Sequence, residues 1–387
     1  MAARPAAEDA PARLRERLAA LGPAERDAAL HALVAGQVAA ALGHGSADEL
    51  EAGLSLPELG FDSLAATELS AALLAATGLT LPATAVFEHP TLDALTARLR
   101  AELEAAPGSP DAPADGLLAS LAPRAAELGR FAEFGELLAA ASRFRETFDA
   151  PPAPAVRPAP VRLAQGPAAP RFFCFPSFAT KSGAHQYARL AAAARGRHEL
   201  WALPAPGFGA GEPLPADLDA LVRLHAEDVE RLAAGEPFAL LGHSAGGWIA
   251  HAVAAHLEKL GNPPAALVLL DSYRPGSATL PRIQAEIARQ LTDGRLAPDQ
   301  LLDDTSLTAT GGYGRLFEAW EPQPLATPTL QLRAARPLPG FPAAGWQADW
   351  PVPHTEAEVA GDHFTMTGEH GPATLRAVLD HLAGASG

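Results

Sequence analysis

Cysteine is nearly absent: among 387 residues only Cys174 carries a thiol. No intrachain disulfide can form, which fits a reducing, cytoplasmic setting. Cys174 lies inside the apolar run Arg171-Phe-Phe-Cys-Phe175 and reads as a buried strand residue, not a nucleophile. No run of eighteen uncharged apolar residues occurs, so no membrane-spanning helix is expected. The opening MAARPAAEDAPARLRERL lacks the apolar core of a secretion signal, so export is not expected either. Lysine is confined to Lys181 and Lys259, and there is no repeat at a fixed period. An excess of positive charge is missing: the net charge is −16, which argues against nucleic acid or an anionic membrane surface as partner. The acid is concentrated early, with fifteen Asp/Glu against seven Arg and no Lys over residues 1–105, a net of −8.

What is present is a chain of 48% apolar residues, too long for one ordinary domain. Two Pro/Ala-rich stretches, 106–115 and 150–170, read as semi-rigid linkers that divide it into three pieces. The first piece has helical periodicity throughout. Asp27 to Leu42 puts Leu30, Leu33, Val34 and Val38 on one face; Ser63 to Thr77 and Thr91 to Leu103 repeat the pattern. Gly43 and Gly78 supply stops. Three such helices can share a small core, a helix bundle. The middle piece, 116–149, spaces Leu128, Phe131, Phe134, Leu138 and Phe144 near-helically. It is too short to form a core and needs a partner: either the last piece or a second copy of itself. The last piece alternates apolar strand-like runs (RFFCFPSF, HELWALP, PFALLGHS, AALVLLDSY, PTLQLRA) with helical stretches. That order predicts a mostly parallel sheet covered on both faces, an α/β fold.

Gly242-His243-Ser244-Ala245-Gly246 follows one of these strands and opens a helical pattern, the setting of a nucleophile elbow. A serine hydroxyl is a poor nucleophile at neutral pH and needs a base, which in turn needs an orienting carboxylate. In this fold they follow in the order Ser, acid, His. Asp271 ends the next strand, where strand carboxyl ends line the ligand crevice. His363 lies in Gly-Asp-His-Phe near the C-terminus, with Asp362 as a competing acid poorly placed to face its own neighbour. The imidazole of His243 should point away from the serine, and His185, His225, His251 and His256 are expected on solvated helix faces. Backbone N–H groups of Ala245 and Phe178 are the expected oxyanion donors, although no HGGG-type motif precedes Phe178. In the first piece, Gly60-Phe61-Asp62-Ser63-Leu64 places Ser63 at a helix N-terminus, which can cap the helix or receive a phosphodiester.

LGFDSLAATEL followed by ATGLTLPATAVFEHPTLDAL closely resembles the acyl carrier domains of modular polyketide synthases. The resemblance implies a carrier over 27–105 with pantetheine 4′-phosphate attached at Ser63 by a phosphopantetheinyl transferase. Residues 116–387 resemble the terminal thioesterases of the same synthases, through SGAHQYARLA, PAPGFGAGEPLP, LLGHSAGG, VLLDSYRPG, DDTSLTATGGYGRLFEAW and GDHFTM. This implies an α/β-hydrolase core over 171–387, a helical lid over about 275–313, and the triad Ser244, Asp271 and His363. It also implies dimerisation helices over 116–149, hence a homodimer, with Tyr273 and Trp320 lining the substrate channel and no metal. Residues 1–26 are expected to be a linker from upstream synthase domains, the chain being read as a piece of a longer synthase. The implied reaction is release of a polyketide acyl chain through an ester on Ser244, to a macrolactone or a linear acid. A nonribosomal peptide synthetase is the alternative source; its carriers usually show Gly-Gly-[His/Asp]-Ser, unlike Gly-Phe-Asp-Ser here. A non-catalytic scaffold is opposed by the complete Ser, Asp and His set.

Overall fold

The computed structural model describes residues 10–51, 54–61, 63–79, 81–82, 84–104, 116–179, 182–284, 286, 303–342 and 344–385. The linker expected over 106–115, and residues 285 and 287–302 of the expected lid, lie outside them. The chain forms two compact units, residues 1–112 and 113–387.

The first unit is helical: α1 (Ala10–Ala19), α2 (Pro23–Ala41), α3 (Leu56–Leu59), α4 (Ser63–Thr77), α5 (Ala85–Glu88) and α6 (Leu92–Glu104). Pro23 opens α2 at the position where a missing N–H costs nothing, and the Glu25 carboxylate accepts from the Gly22 N–H at 3.0 Å. Ser55 and Glu58 cap α3 reciprocally, and Gly60, at φ 117°, turns the chain toward Phe61 and the start of α4. Leu30, Val34, Val38, Leu69, Leu73, Leu95 and Leu99 are buried together as the periodicity requires. Within the span expected to be a linker, α1 packs on α4, with Leu14 buried and Pro11 beside Gly78.

The second unit opens with α7 (Leu117–Glu127) and α8 (Phe131–Ala141), then β1 (Thr147–Phe148), β2 (Val161–Ala164) and β3 (Ala168–Phe175). There follow α9 (Ala188–Ala194), β4 (His198–Ala202), β5 (Leu214–Pro215), α10 (Leu218–Ala233), β6 (Phe238–His243) and α11 (Gly246–Lys259). The rest is β7 (Ala266–Leu270), α12 (Asp304–Phe317), β8 (Thr329–Ala334), β9 (Thr355–Val359) and α13 (Gly371–Ala385). Seven strands form one sheet in the order β2-β4-β3-β6-β7-β8-β9; only β2 runs antiparallel to its neighbour. Every residue of β6 and β7 is buried, as central parallel strands covered on both faces must be. Phe173, Phe175, Leu240, Leu267 and Leu269 share a core with Leu221 and Val229 of α10 and Ile249 and Val253 of α11. Their alternates Phe172, Cys174, Leu241, Val268 and Leu270 are buried toward the other side.

Two expectations change, and one of the two alternatives for the middle helices is met. The stretch 150–170 is not only a linker: Val161–Ala164 is an edge strand and β3 starts at Ala168. Pro158 and Pro160 precede the ladder, where a missing N–H is tolerated, and the alternating Val161 and Leu163 are buried. The middle helices fold onto their own unit: Ala119, Ala122, Phe134 and Leu138 form a cluster with Leu307 of α12. His225 and His251 are buried, not solvated; Phe175 covers the first edge-on, and Trp320 and Trp350 flank the second. No helix among the described residues is long and apolar enough to cross a membrane.

Candidate active site

The site stands at the carboxyl ends of β3, β6 and β7, where an open α/β sheet gathers its loops. Ser244 occupies the turn between β6 and α11 at φ 54°, a left-handed conformation that costs a non-glycine residue about 1–3 kcal/mol. Three glycines make the turn fit. A Cβ on Gly242 would come within 2.4 Å of the Gly247 Cα, and one on Gly246 within 2.1 Å of the Phe175 carbonyl oxygen. One on Gly247 would meet the Ser272 hydroxyl at 2.1 Å. The Ser244 N–H is held by the Leu270 carbonyl at 2.9 Å. The turn therefore presents the serine oxygen while its backbone stays fixed.

Asp271, one residue past β7, is fully buried and also strained, at φ 45°. Its N–H donates to the Leu332 carbonyl at 2.8 Å and its Oδ1 accepts from the Ala334 N–H at 3.1 Å. Oδ2 is left for His363 Nδ1, at 2.8 Å. Since a carboxylate only accepts, Nδ1 carries the imidazole proton and Nε2 presents a lone pair. That Nε2 lies 3.1 Å from Ser244 Oγ. Asp362 takes no part: its Oδ1 accepts from the Phe364 and Thr365 N–H groups and caps its own turn.

The N–H groups of Ala245 and Phe178 donate to no other group among the described residues. The Phe178 side chain is buried, stacked on Tyr313 and Phe317 and edge-on to Trp248. Tyr273 is also buried; its hydroxyl donates to the Trp346 carbonyl at 2.9 Å and its ring lies 5.9 Å from that of His363. Trp320 packs among Phe317, His251 and Trp350. Ser63 is the first residue of α4; its side chain is outside what the structure describes. Two supporting residues escaped the sequence reading. Buried Gln331 donates to the Ser272 carbonyl at 3.0 Å, next to strained Asp271. Tyr187 accepts from the His243 N–H and donates to the Phe175 carbonyl. Gln331 lies in an ordinary strand run and Tyr187 within SGAHQYARLA, and only their contacts in the fold reveal these roles.

A parallel sheet, a strained serine turn and a hydrogen-bonded Ser–His–Asp set at the strand ends make the second unit an α/β-hydrolase fold. Residues 170–382 match the thioesterase domain family, to which the chain belongs, and residues 32–99 match the phosphopantetheine attachment site family. The chain is 50% identical over 377 residues to the spectinabilin polyketide synthase system protein NorC of Streptomyces orinoci, covering 95% of this chain and 17% of NorC. It is 42% identical over 406 residues to polyketide synthase GfsE of Streptomyces halstedii, covering 97% of this chain and 10% of GfsE. The chain thus spans less than a fifth of the length of either curated relative. Among solved structures, the RedJ thioesterase of the prodiginine biosynthetic pathway in Streptomyces coelicolor is similar at 22% identity. The similarity covers 55% of this chain and 89% of that one, with a TM-score of 0.42.

Proposed function

We propose that this chain carries a polyketide acyl group on its first unit and releases it through Ser244 of its second. The observation that carries the reading is the unbroken chain from Ser244 Oγ to His363 Nε2, and from His363 Nδ1 to buried Asp271. In the proposed reaction Ser244 Oγ attacks the carbonyl carbon of an acyl thioester as His363 Nε2 takes the hydroxyl proton. Asp271 holds the imidazole in the required tautomer and stabilises the imidazolium. The oxygen that gains charge is received by the N–H groups of Ala245 and Phe178. Collapse breaks the carbon–sulfur bond, and His363 returns its proton to the departing sulfur, leaving an ester on Ser244. A hydroxyl of the acyl chain or a water then attacks, with His363 again as base; the bond from the acyl carbon to Ser244 Oγ breaks, His363 returns the proton to Oγ, and a lactone or an acid leaves. Tyr273 and Trp320 are proposed to border the path of the acyl chain.

A phosphopantetheine arm, when attached, supplies the thiol that bears the acyl group. Ser63 suits its phosphodiester because it opens a fifteen-residue helix whose first turn contains no acidic residue. The proposed partners are a phosphopantetheinyl transferase, upstream synthase domains, and a second copy of the chain.

A fluorophosphonate probe tests the nucleophile. The intact chain should gain one adduct that Ser244→Ala abolishes, while coenzyme A and a broad transferase still add one arm that only Ser63→Ala blocks. Labelling that survives Ser244→Ala would overturn the assignment.

A further inference from the structure

The residue before the nucleophile touches the base. His243 ends β6, and 3% of its surface is exposed. Its imidazole reaches the loop that holds His363. There Nε2 lies 2.8 Å from the His363 carbonyl oxygen. A carbonyl oxygen only accepts, so Nε2 bears the proton and His243 is a neutral donor. The two rings stand 4.9 Å apart at 35°. Burial foremost, and then the neighbouring His363, lower the pKa of His243 to about 3. It therefore stays uncharged while His363 takes up the serine proton; a second cation at that distance would oppose the uptake.

Packing alone does not account for an imidazole here. His243 Nδ1 is buried and has no partner among the described residues. A leucine would fill similar space without an orphaned acceptor. What leucine cannot do is donate to the His363 carbonyl. That carbonyl needs a partner, because His363 lies between β9 and α13 and belongs to no ladder or helix. The Asp271 bond fixes one ring nitrogen of the base but not its backbone. His243 is itself pinned. Its N–H donates to the Tyr187 hydroxyl at 3.0 Å, and that hydroxyl donates to the Phe175 carbonyl at 2.8 Å. One residue thus links the end of β3, which leads to Phe178, with the serine turn and the base loop.

We infer that His243 is a positioning residue, which acts through the His363 backbone to keep the base in register with Ser244. The inference rests on His363 being the base. During turnover His363 moves a proton from the serine to a sulfur, then from water or a hydroxyl to the serine, and small displacements of such a group are costly.

Three variants test it. In His243→Gln the amide nitrogen takes the place of Nε2; in His243→Asn it falls at the place of Nδ1 and cannot reach the carbonyl; His243→Leu offers no donor. The rate of Ser244 acylation is read with p-nitrophenyl butyrate. Gln should stay within about threefold of the wild type, whereas Asn and Leu should fall by about tenfold or more in kcat with KM unchanged. Wild-type rates in folded Asn or Leu, or a folded Gln variant as slow as Asn, would overturn the inference. Imidazole nitrogen NMR of the unaltered chain gives a reading independent of variant folding. His243 should be a single neutral tautomer protonated at Nε2 between pH 5 and 8, and a charged or Nδ1-protonated ring there would equally overturn it. Ser244→Ala separates the two levels. If turnover survives it, the reading of the site fails; if turnover is lost but Leu and Asn react normally, only the role of His243 fails.

Discussion

His225 of α10 is buried edge-on against Phe175, with ring centroids 5.3 Å apart, and neither ring nitrogen has a partner among the described residues. Burial foremost lowers its pKa to about 4, against an ordinary value near 6.5. The unfolded chain therefore takes up this proton below about pH 6.5, and the folded chain only below about 4. Stability from this residue is complete above pH 6.5 and falls as the pH drops toward 4, by roughly 3 kcal/mol in total. His251, also lowered to about 4 chiefly by burial, acts in the same window and direction. His225→Leu should thus raise the melting temperature relative to the wild type far more at pH 4.5 than at pH 7.5. Thermal unfolding at the two pH values checks this; equal effects at both would mean that the imidazole charges without leaving the core. At the same scale, Asp271→Asn should lower turnover by about four orders of magnitude by freeing the wrong tautomer, whereas Asp362→Asn should cost little. Steady-state hydrolysis of p-nitrophenyl butyrate compares the two. The difference follows from what each carboxylate touches: Asp271 meets His363, and Asp362 meets only its own turn.

At the scale of elements, α12 is the wall between the middle helices and the site. One side packs Leu307 on Ala119, Phe134 and Leu138, while Tyr313 and Phe317 stack on Phe178. Arg145 fastens it: its guanidinium donates to the Thr305 carbonyl and the Thr308 hydroxyl, and also to the carbonyls of Gly207 and Glu212, all within 3.0 Å. Gly311 lets α8 approach so closely that a Cβ there would lie 2.3 Å from the Leu138 carbonyl carbon. Gly311→Ala should therefore destabilise the second unit by about 1–3 kcal/mol, read as a lower urea midpoint, and slow acylation through displaced Phe178. An unchanged midpoint would show that the two helices separate freely. This arrangement also marks the limit of what the amino-acid order conveys. The apolar spacing of Leu128 to Phe144 announces helices, and the strand–serine–helix pattern announces the elbow, because both signals are local. The surface that receives Leu138 lies far along the chain in Leu307, and nothing near either residue specifies the pairing. For the same reason Val161–Ala164 is hidden among prolines. Its place is set by β4, where Arg162 sits opposite Trp201 with the guanidinium 5.5 Å from the indole.

For the whole molecule, the middle helices keep a second apolar face. Phe134 and Leu138 turn inward, but Leu117 is 70% and Phe144 92% exposed, with Leu121, Leu128 and Leu137 exposed as well. Large apolar side chains exposed along α7, α8 and the turn that follows α8 at Phe144 are what a two-fold partner would cover. The chain is expected to be a dimer through α7, α8 and the turn at Phe144, and Leu117→Asp with Phe144→Asp should dissociate it without reaching the site. Light scattering at micromolar concentration decides; a monomeric unaltered chain would remove the interface. Surface substitution is the better test than deleting residues 116–149, since deletion would also strip the cover from α12.

The outermost strand β9 has a consequence for crowding. Its sequence Thr-Glu-Ala-Glu-Val places Glu356 and Glu358 exposed at the open margin of the sheet. Two copies meeting margin to margin would bring four carboxylates together, on chains that each already carry a net charge of −16. Backbone groups at such a margin are a template for fibril growth, and the carboxylates, Glu356 paired with Arg333 and Glu358 accepting from Gln347, disfavour that docking. The β9 margin is thereby guarded against edge pairing, while the opposite margin, β2, sets the Arg162 guanidinium over Trp201.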